Sequence, residues 1–119
     1  MSNALPVPQP GPHFSLRVVD EPRGSDPQLV VSGEIDVPYI AELDDAIGRI
    51  GRQDRSRGVI VDMSQVTFLA ACGVSRLVAA QHRLGSVGQT LALHGTTGFQ
   101  RRLLALGSFD CAATASAGQ

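Results

Sequence analysis

Gly58-Val59-Ile60-Val61-Asp62-Met63-Ser64-Gln65-Val66-Thr67-Phe68-Leu69-Ala70-Ala71-Cys72-Gly73-Val74 is the stretch whose reading decides the fold. Val59-Ile60-Val61 is a short run of consecutive aliphatic residues, the pattern of a strand covered by helices rather than of a solvated edge. Asp62-Met63-Ser64-Gln65 ends that run. Phe68 to Gly73 leads into a helix, because Val74, Leu77, Val78 and Leu84 share one face while Arg76, Gln81 and Arg83 lie mostly on the other. Gly85 and Gly88 bracket the end of that helix. A buried strand passing into an amphipathic helix is half of a parallel crossover, so partner strands are expected on both sides in the sequence.

Upstream, Phe14, Leu16 and Val18 alternate at period two, and Asp20-Glu21-Pro22-Arg23-Gly24 has turn composition. Leu29-Val30-Val31 then forms the second strand of a hairpin, closed by Gly33-Glu34-Ile35-Asp36. Asp36 supplies an N-cap oxygen two residues before Pro38, which suits a first helical turn. The helix that follows buries Ile40, Leu43, Ile47 and Ile50 and exposes Glu42, Asp44, Asp45 and Arg49. The polar stretch from Arg52 to Gly58 breaks it.

Downstream, Leu91-Ala92-Leu93 is a further strand, and Thr96 or Thr97 caps a third helix in which Phe99, Leu103 and Leu106 share the face expected to be inward. Gly107 stops that helix, and Phe109 to Thr114 fits a last short edge strand. The order β-β-α-β-α-β-α-β predicts an α/β fold: one sheet of about five strands, the first pair antiparallel and the rest parallel. Three helices are expected mainly on one face. Alternating Pro6, Pro8, Pro10 and Pro12 make residues 1–12 a disordered tail, and residues 115–119 a flexible one. One domain is expected over residues 13–114.

Composition narrows the function. A chain of 119 residues suits one core, and its 43% hydrophobic and 18% charged residues are a globular balance with few aromatics. The net charge of −1 gives no field to draw the chain to nucleic acid. No apolar run approaches the roughly 20 residues that cross a bilayer, and the N-terminus lacks the pattern of a signal peptide, so a soluble, cytoplasmic protein with no membrane partner is expected. Cys72 and Cys111 form no CxxC pair, and His13, His82 and His94 stand alone, so no metal site is expected. No nucleophile–base pair, paired carboxylates or glycine-rich phosphate loop can be assembled, which argues against an enzyme and against a cofactor.

Three segments resemble the STAS family, named for sulfate transporters and anti-sigma factor antagonists. Val31-Ser32-Gly33-Glu34-Ile35-Asp36 is similar to the family's strand-end "G-E-L-D". Val59 to Leu69 is similar to its "D-L-S-G-V-x-F-I-D" strand and loop, and Phe99 to Gly107 with Phe109-Asp110 to its "L-x-x-x-G-L-D" helix exit. The likeness covers about residues 14–114. It implies a binding module that docks a kinase-like anti-sigma factor and so frees a sigma factor, as a monomer or weak homodimer. It implies as well that the docking surface comprises Gly33, Glu34, Asp36, Tyr39, Ser64, Thr67, Ala71, Cys72, Gly73, Ser75 and Arg76. A rival reading is a STAS subunit of a larger transport or stress-signalling assembly.

In the antagonist branch a serine before a glycine, at the start of the second helix, is phosphorylated by the partner kinase. The family segment reads Asp-Ser-Ser-Gly or Asp-Thr-Ser-Gly, whereas this chain reads Ala70-Ala71-Cys72-Gly73, without the acidic residue or either hydroxyl. Cys72 therefore stands at the phosphoserine position. A thiol there lies where unpaired N–H groups accept negative charge, which makes Cys72 a candidate for redox regulation, with Cys111 as the second thiol. The alternative is a small apolar residue packed beside Ala70 and Ala71. An intramolecular Cys72–Cys111 bridge is not expected, because the two follow different strands and a bridge needs Cα atoms within about 7 Å.

Overall fold

The computed structural model describes residues 13–19, 26–53 and 58–111. Four strands, β1 (Phe14–Val19), β2 (Gln28–Ile35), β3 (Gly58–Leu69) and β4 (Thr90–His94), form one sheet in the order β1-β2-β3-β4. β1 pairs antiparallel with β2, while β2–β3 and β3–β4 are parallel. Parallel neighbours require crossovers, and these are α1 (Ile40–Gln53) and α2 (Ala71–Gly85). A third helix, α3 (Gly98–Leu106), follows β4. One 3-10 turn, Val37–Tyr39, links β2 to α1.

The helices cover one face of the sheet, because one continuous core joins them to inward residues of every strand. Leu29, Val31 and Ile35 of β2 meet Val59, Val61 and Met63 of β3 and Leu91 and Leu93 of β4. Leu43, Ile47 and Ile50 of α1 and Val74, Leu77 and Leu84 of α2 close over them. These are the helix faces that the periodicity predicts. No helix among the described residues is long and apolar enough to cross a membrane.

β3 is longer than the sequence suggests, running straight through Asp62–Gln65. Two register shifts against β2, between Val30 and Ser32 and between Gly33 and Glu34, let the ladder continue while the alternation of burial breaks. Ser64 and Gln65 face solvent at the irregularity, where Ser32 Oγ donates to Gln65 Oε1 at 2.8 Å and Ser64 N donates to Asp62 Oδ1 at 2.9 Å. Val66 and Leu69 return to the core beyond it.

Two expectations at the C-terminal end are corrected. Among the described residues there is no fifth strand: Phe109 N donates to Leu104 O at 2.9 Å and Asp110 N to Gln81 Oε1 at 2.8 Å, so these backbone donors are used outside any ladder. Phe109 instead fills the core with its ring. The proposed strand's last residues, 112–114, lie outside the described residues, as do the two tails. The inward face of α3 is also different. Gln100 and Leu104 are buried, while Phe99 and Leu106 are 62% and 84% exposed. Leu104 and Phe109 fill the core and Leu103 packs against it, while Gln100 closes a capping box in which Thr97 Oγ1 accepts from Gln100 N and Gln100 Oε1 accepts from Thr97 N, each at 3.0 Å. Leu104 lies one turn beyond Gln100 on the same buried face.

Gly33 sits opposite Phe14 in the β1–β2 ladder at φ 95°, and a Cβ there would collide with the carbonyl of His13. Both the left-handed backbone and the contact demand glycine. Gly33→Ala is expected to cost about 2 kcal/mol or more, read as a lowered midpoint in denaturant unfolding. An unchanged midpoint would mean that β1 is not held against β2 in this way.

Candidate protein-docking surface

The C-terminal ends of the parallel strands bring the Gly33–Tyr39 segment and the start of α2 together. Asp36 is the N-cap of the 3-10 turn, and its Oδ1 accepts from Val37 N at 2.7 Å. The same oxygen faces Cys72, whose Sγ lies 3.8 Å away as a weak donor. One carboxylate thus joins the end of β2 to the first turn of α2. Ala70 N donates to Ile35 O at 3.0 Å, which fixes the two chain segments side by side.

Gly73 makes that approach possible. A Cβ at this position would lie 2.6 Å from Ile35 Cγ2, 3.1 Å from Leu69 Cδ1 and 3.2 Å from Ile35 O. The helix start therefore rests directly on the strand end. Ala70 occupies the N-cap without a side-chain hydrogen bond, so the first turn of α2 carries no side-chain cap. Ala71, Ser75 and Arg76 are exposed there, and Cys72 is half-buried. Arg76 and Arg83 reach the Asp44 carboxylate at 3.5 and 2.8 Å, which ties α2 to α1. The two arginines are about half exposed, so the pairs are screened by solvent and contribute modestly to stability while linking the helices.

Tyr39 is turned onto β1, its ring stacked on Phe14 at 4.9 Å between centroids. Glu34 lies half-buried opposite Phe68 in the β2–β3 register. Thr67 is exposed near the end of β3, whereas Ser64 is exposed about 10 Å further back along the strand. A Cβ on Gly95 would meet Ser64 Cβ at 2.8 Å, so Ser64 belongs to the β3–β4 side of the molecule. The close group is Asp36, Ala71, Cys72 and Gly73.

Two residues at this end escape sequence reasoning. Val37 and Phe68 are 68% and 50% exposed, although hydropathy alone assigns such side chains to the interior. The signal available was position: Val37 follows a capping aspartate, and Phe68 follows the polar Ser64-Gln65 irregularity. Cys111 lies apart, half-buried with Sγ 4.0 Å from Arg101 O, and both cysteines are free. Among the described residues no group of three His, Cys, Asp or Glu could hold a metal ion.

Sheet order, crossovers and an uncapped helix start resting on the second strand define a small α/β domain of the STAS type. The chain belongs to the STAS domain family: the family model described as "Mlab, STAS domain" matches residues 19–111. Among similar solved structures is an anti-sigma factor antagonist from Mycobacterium paratuberculosis, 27% identical with a TM-score of 0.68, the match covering 82% of this chain and 80% of that one. The antagonist SpoIIAA in its unphosphorylated form is 14% identical, TM-score 0.65, with 80% and 82% covered. The Bacillus cell fate determinant SpoIIAA in its phosphorylated form is 15% identical, TM-score 0.60, with 80% and 85% covered. The last two likenesses concern the fold alone. No curated protein matches the chain.

Proposed function

We propose that this protein is an anti-sigma factor antagonist, a binding module that regulates transcription by docking a kinase-like anti-sigma factor and releasing its sigma factor. The observation that carries the reading is the junction of Asp36 and Cys72, with Gly73 seated on Ile35, which merges two chain segments into one surface. Ala71, Ser75 and Arg76 give that surface its exposed side chains, and Val37 adds an apolar contact. Glu34, Thr67 and Tyr39 form its margin, and Gly33 holds its base; Ser64 contributes least. The functional unit is residues 13–114, acting as a monomer or weak homodimer in the cytoplasm without a cofactor.

Regulation differs from a phosphoserine switch, because a thiol at residue 72 takes no phosphate from a serine kinase. Peroxide would convert the thiol to a sulfenic acid with release of water, and further oxidation gives a sulfinate. The sulfinate charge would stand beside the Asp36 carboxylate and would have to be desolvated by any docked partner. Without oxidation the surface is constitutively available. A second reading, a STAS subunit of a larger assembly, is favoured by the "Mlab, STAS domain" family match and by the missing hydroxyls at residues 71 and 72.

Calorimetric titration of the full chain against the kinase-like anti-sigma factors of its own cell separates these readings. Saturable one-to-one binding by at least one of them, weakened by peroxide and not restored by thiol once the sulfinate has formed, is the expected result. Absence of binding to every anti-sigma factor, with ATP or ADP and in either redox state, would leave only the assembly reading.

A further inference from the structure

The helices cover one face of the sheet, and the residues that alternate away from them make up the other. Val30, Ile60 and Ala92 point to that side: each stands between two core residues of its own strand, and none belongs to the core beneath the helices. The pairing registers set Arg17 of β1, Val30 of β2 and Asp62 of β3 in one row across this face. Paired residues project from the same side of a sheet, so a cation, an apolar floor and an anion follow one another at strand spacing. Val30 is 6% exposed at the floor, and Arg17 is fully open to solvent beside it. Asp62 Oδ1 accepts from Ser64 N at 2.9 Å, and among the described residues neither Arg17 nor Asp62 is in an ion pair. The next row, away from the docking surface, is Val19, Gln28, Ile60 and Ala92.

We propose that this uncovered face is a homodimer surface whose occupant is a second copy of the chain, related by a twofold axis that runs along β2 through Val30. Charge complementarity selects that occupant. A twofold interface matches a patch to itself with its order reversed, and reversal about Val30 lays Arg17 on Asp62 of the second copy and Asp62 on that copy's Arg17. The same rotation sets Val19 against Ile60 in the next row. Sheets packed face to face lie about 10 Å apart, a gap that an arginine and an aspartate pointing toward each other can span. Other axes fail on charge. An axis across the strands would put Arg17 on Arg17, and an axis along β3 would put Asp62 on Asp62; both pairs repel. An anionic membrane or a nucleic acid meets no basic field here, since the arginine stands with a carboxylate two strands away. Glu34 sets the limit of the contact. It lies on β2 beyond both register shifts, which bend that strand end aside, and two copies of its carboxylate would otherwise meet across the axis. The patch is therefore short and the dimer weak, and the Asp36–Cys72 junction stays free.

The test is sedimentation equilibrium of the full chain with thiol present, from about 10 µM to about 1 mM, for the parent, Arg17→Asp, Asp62→Arg and an equimolar mixture of the two variants. The parent is expected to dimerise with a Kd of about 0.1–1 mM. Each variant alone sets like charges against each other at both ends of the row and should associate at least about tenfold more weakly. In the mixture one chain offers two carboxylates and the other two arginines, so a heterodimer should form with a Kd within a few-fold of the parent's. Arg101→Asp, the same charge change placed on α3, and Cys72→Asp, at the docking surface, should both associate as the parent does. Asp62→Asn still accepts from Ser64 N and keeps the test open if the arginine variant unfolds: it should weaken the dimer about three- to tenfold. A parent that stays monomeric to about 1 mM, a mixture no better than its components, equal weakening by Arg101→Asp, or unchanged association of Asp62→Asn would overturn the proposal.

Discussion

Gly73→Ala is expected to destabilise the protein by about 2–3 kcal/mol and to abolish partner binding even where it remains folded, because the added carbon has no space in which to settle. Its nearest neighbours are Ile35 Cγ2 at 2.6 Å and the fixed carbonyl of Ile35 at 3.2 Å. Relief requires the start of α2 to lift from the end of β2, which separates Cys72 from Asp36. Gly85→Ala is the control. Gly85 ends the same helix with nothing within 4 Å of a Cβ, so alanine there is expected to be neutral or to stabilise by a few tenths of a kcal/mol up to about 1 kcal/mol. Thermal or denaturant unfolding of the two variants measures the difference, and equal effects would show that the close approach at Gly73 is not what holds the surface together.

Cys72→Asp is expected to lower affinity for the anti-sigma factor by about 100-fold or more, while Cys72→Ser stays within a few-fold of the parent. The carboxylate would stand where Sγ now lies 3.8 Å from Asp36 Oδ1. Two like charges at about 4 Å repel by roughly 1–4 kcal/mol between bulk-water and near-surface screening, and a docked partner must also desolvate the added one. The Asp36→Asn exchange tells these contributions apart, since asparagine still caps the 3-10 turn but carries no charge. In a double-mutant cycle, Asp36→Asn should recover the repulsive part of the Cys72→Asp loss and leave the desolvation part. If Cys72→Asp binds as well as the parent, residue 72 lies outside the docking surface.

The fold was legible because its decisive segments obey simple periodicities. Val59-Ile60-Val61 forms part of a central strand, and Leu43, Ile47 and Ile50 line one helix face. What misled was apolar character read as burial in α3, where Gln100 and Leu104 are buried and Phe99 and Leu106 are exposed. Gln100 is buried with its side chain hydrogen-bonded in the capping box to Thr97, and hydropathy carries no record of such a pairing. The expected fifth strand failed similarly, because Phe109 and Asp110 use their backbone donors on Leu104 and on the Gln81 side chain. At the docking surface, the Asp36 cap could be read from Asp36-Val37-Pro38, but its contact with Cys72 spans 36 residues and depends on tertiary packing.

Hydrogen exchange of the full chain, free and bound to its anti-sigma factor, tests the central claim most directly. Protection on binding is predicted at amides of residues 33–39 and 70–76 together, with little change along β1. Protection confined to any other region, or at only one of these two segments, would contradict a docking surface built from the junction of Asp36 and Cys72.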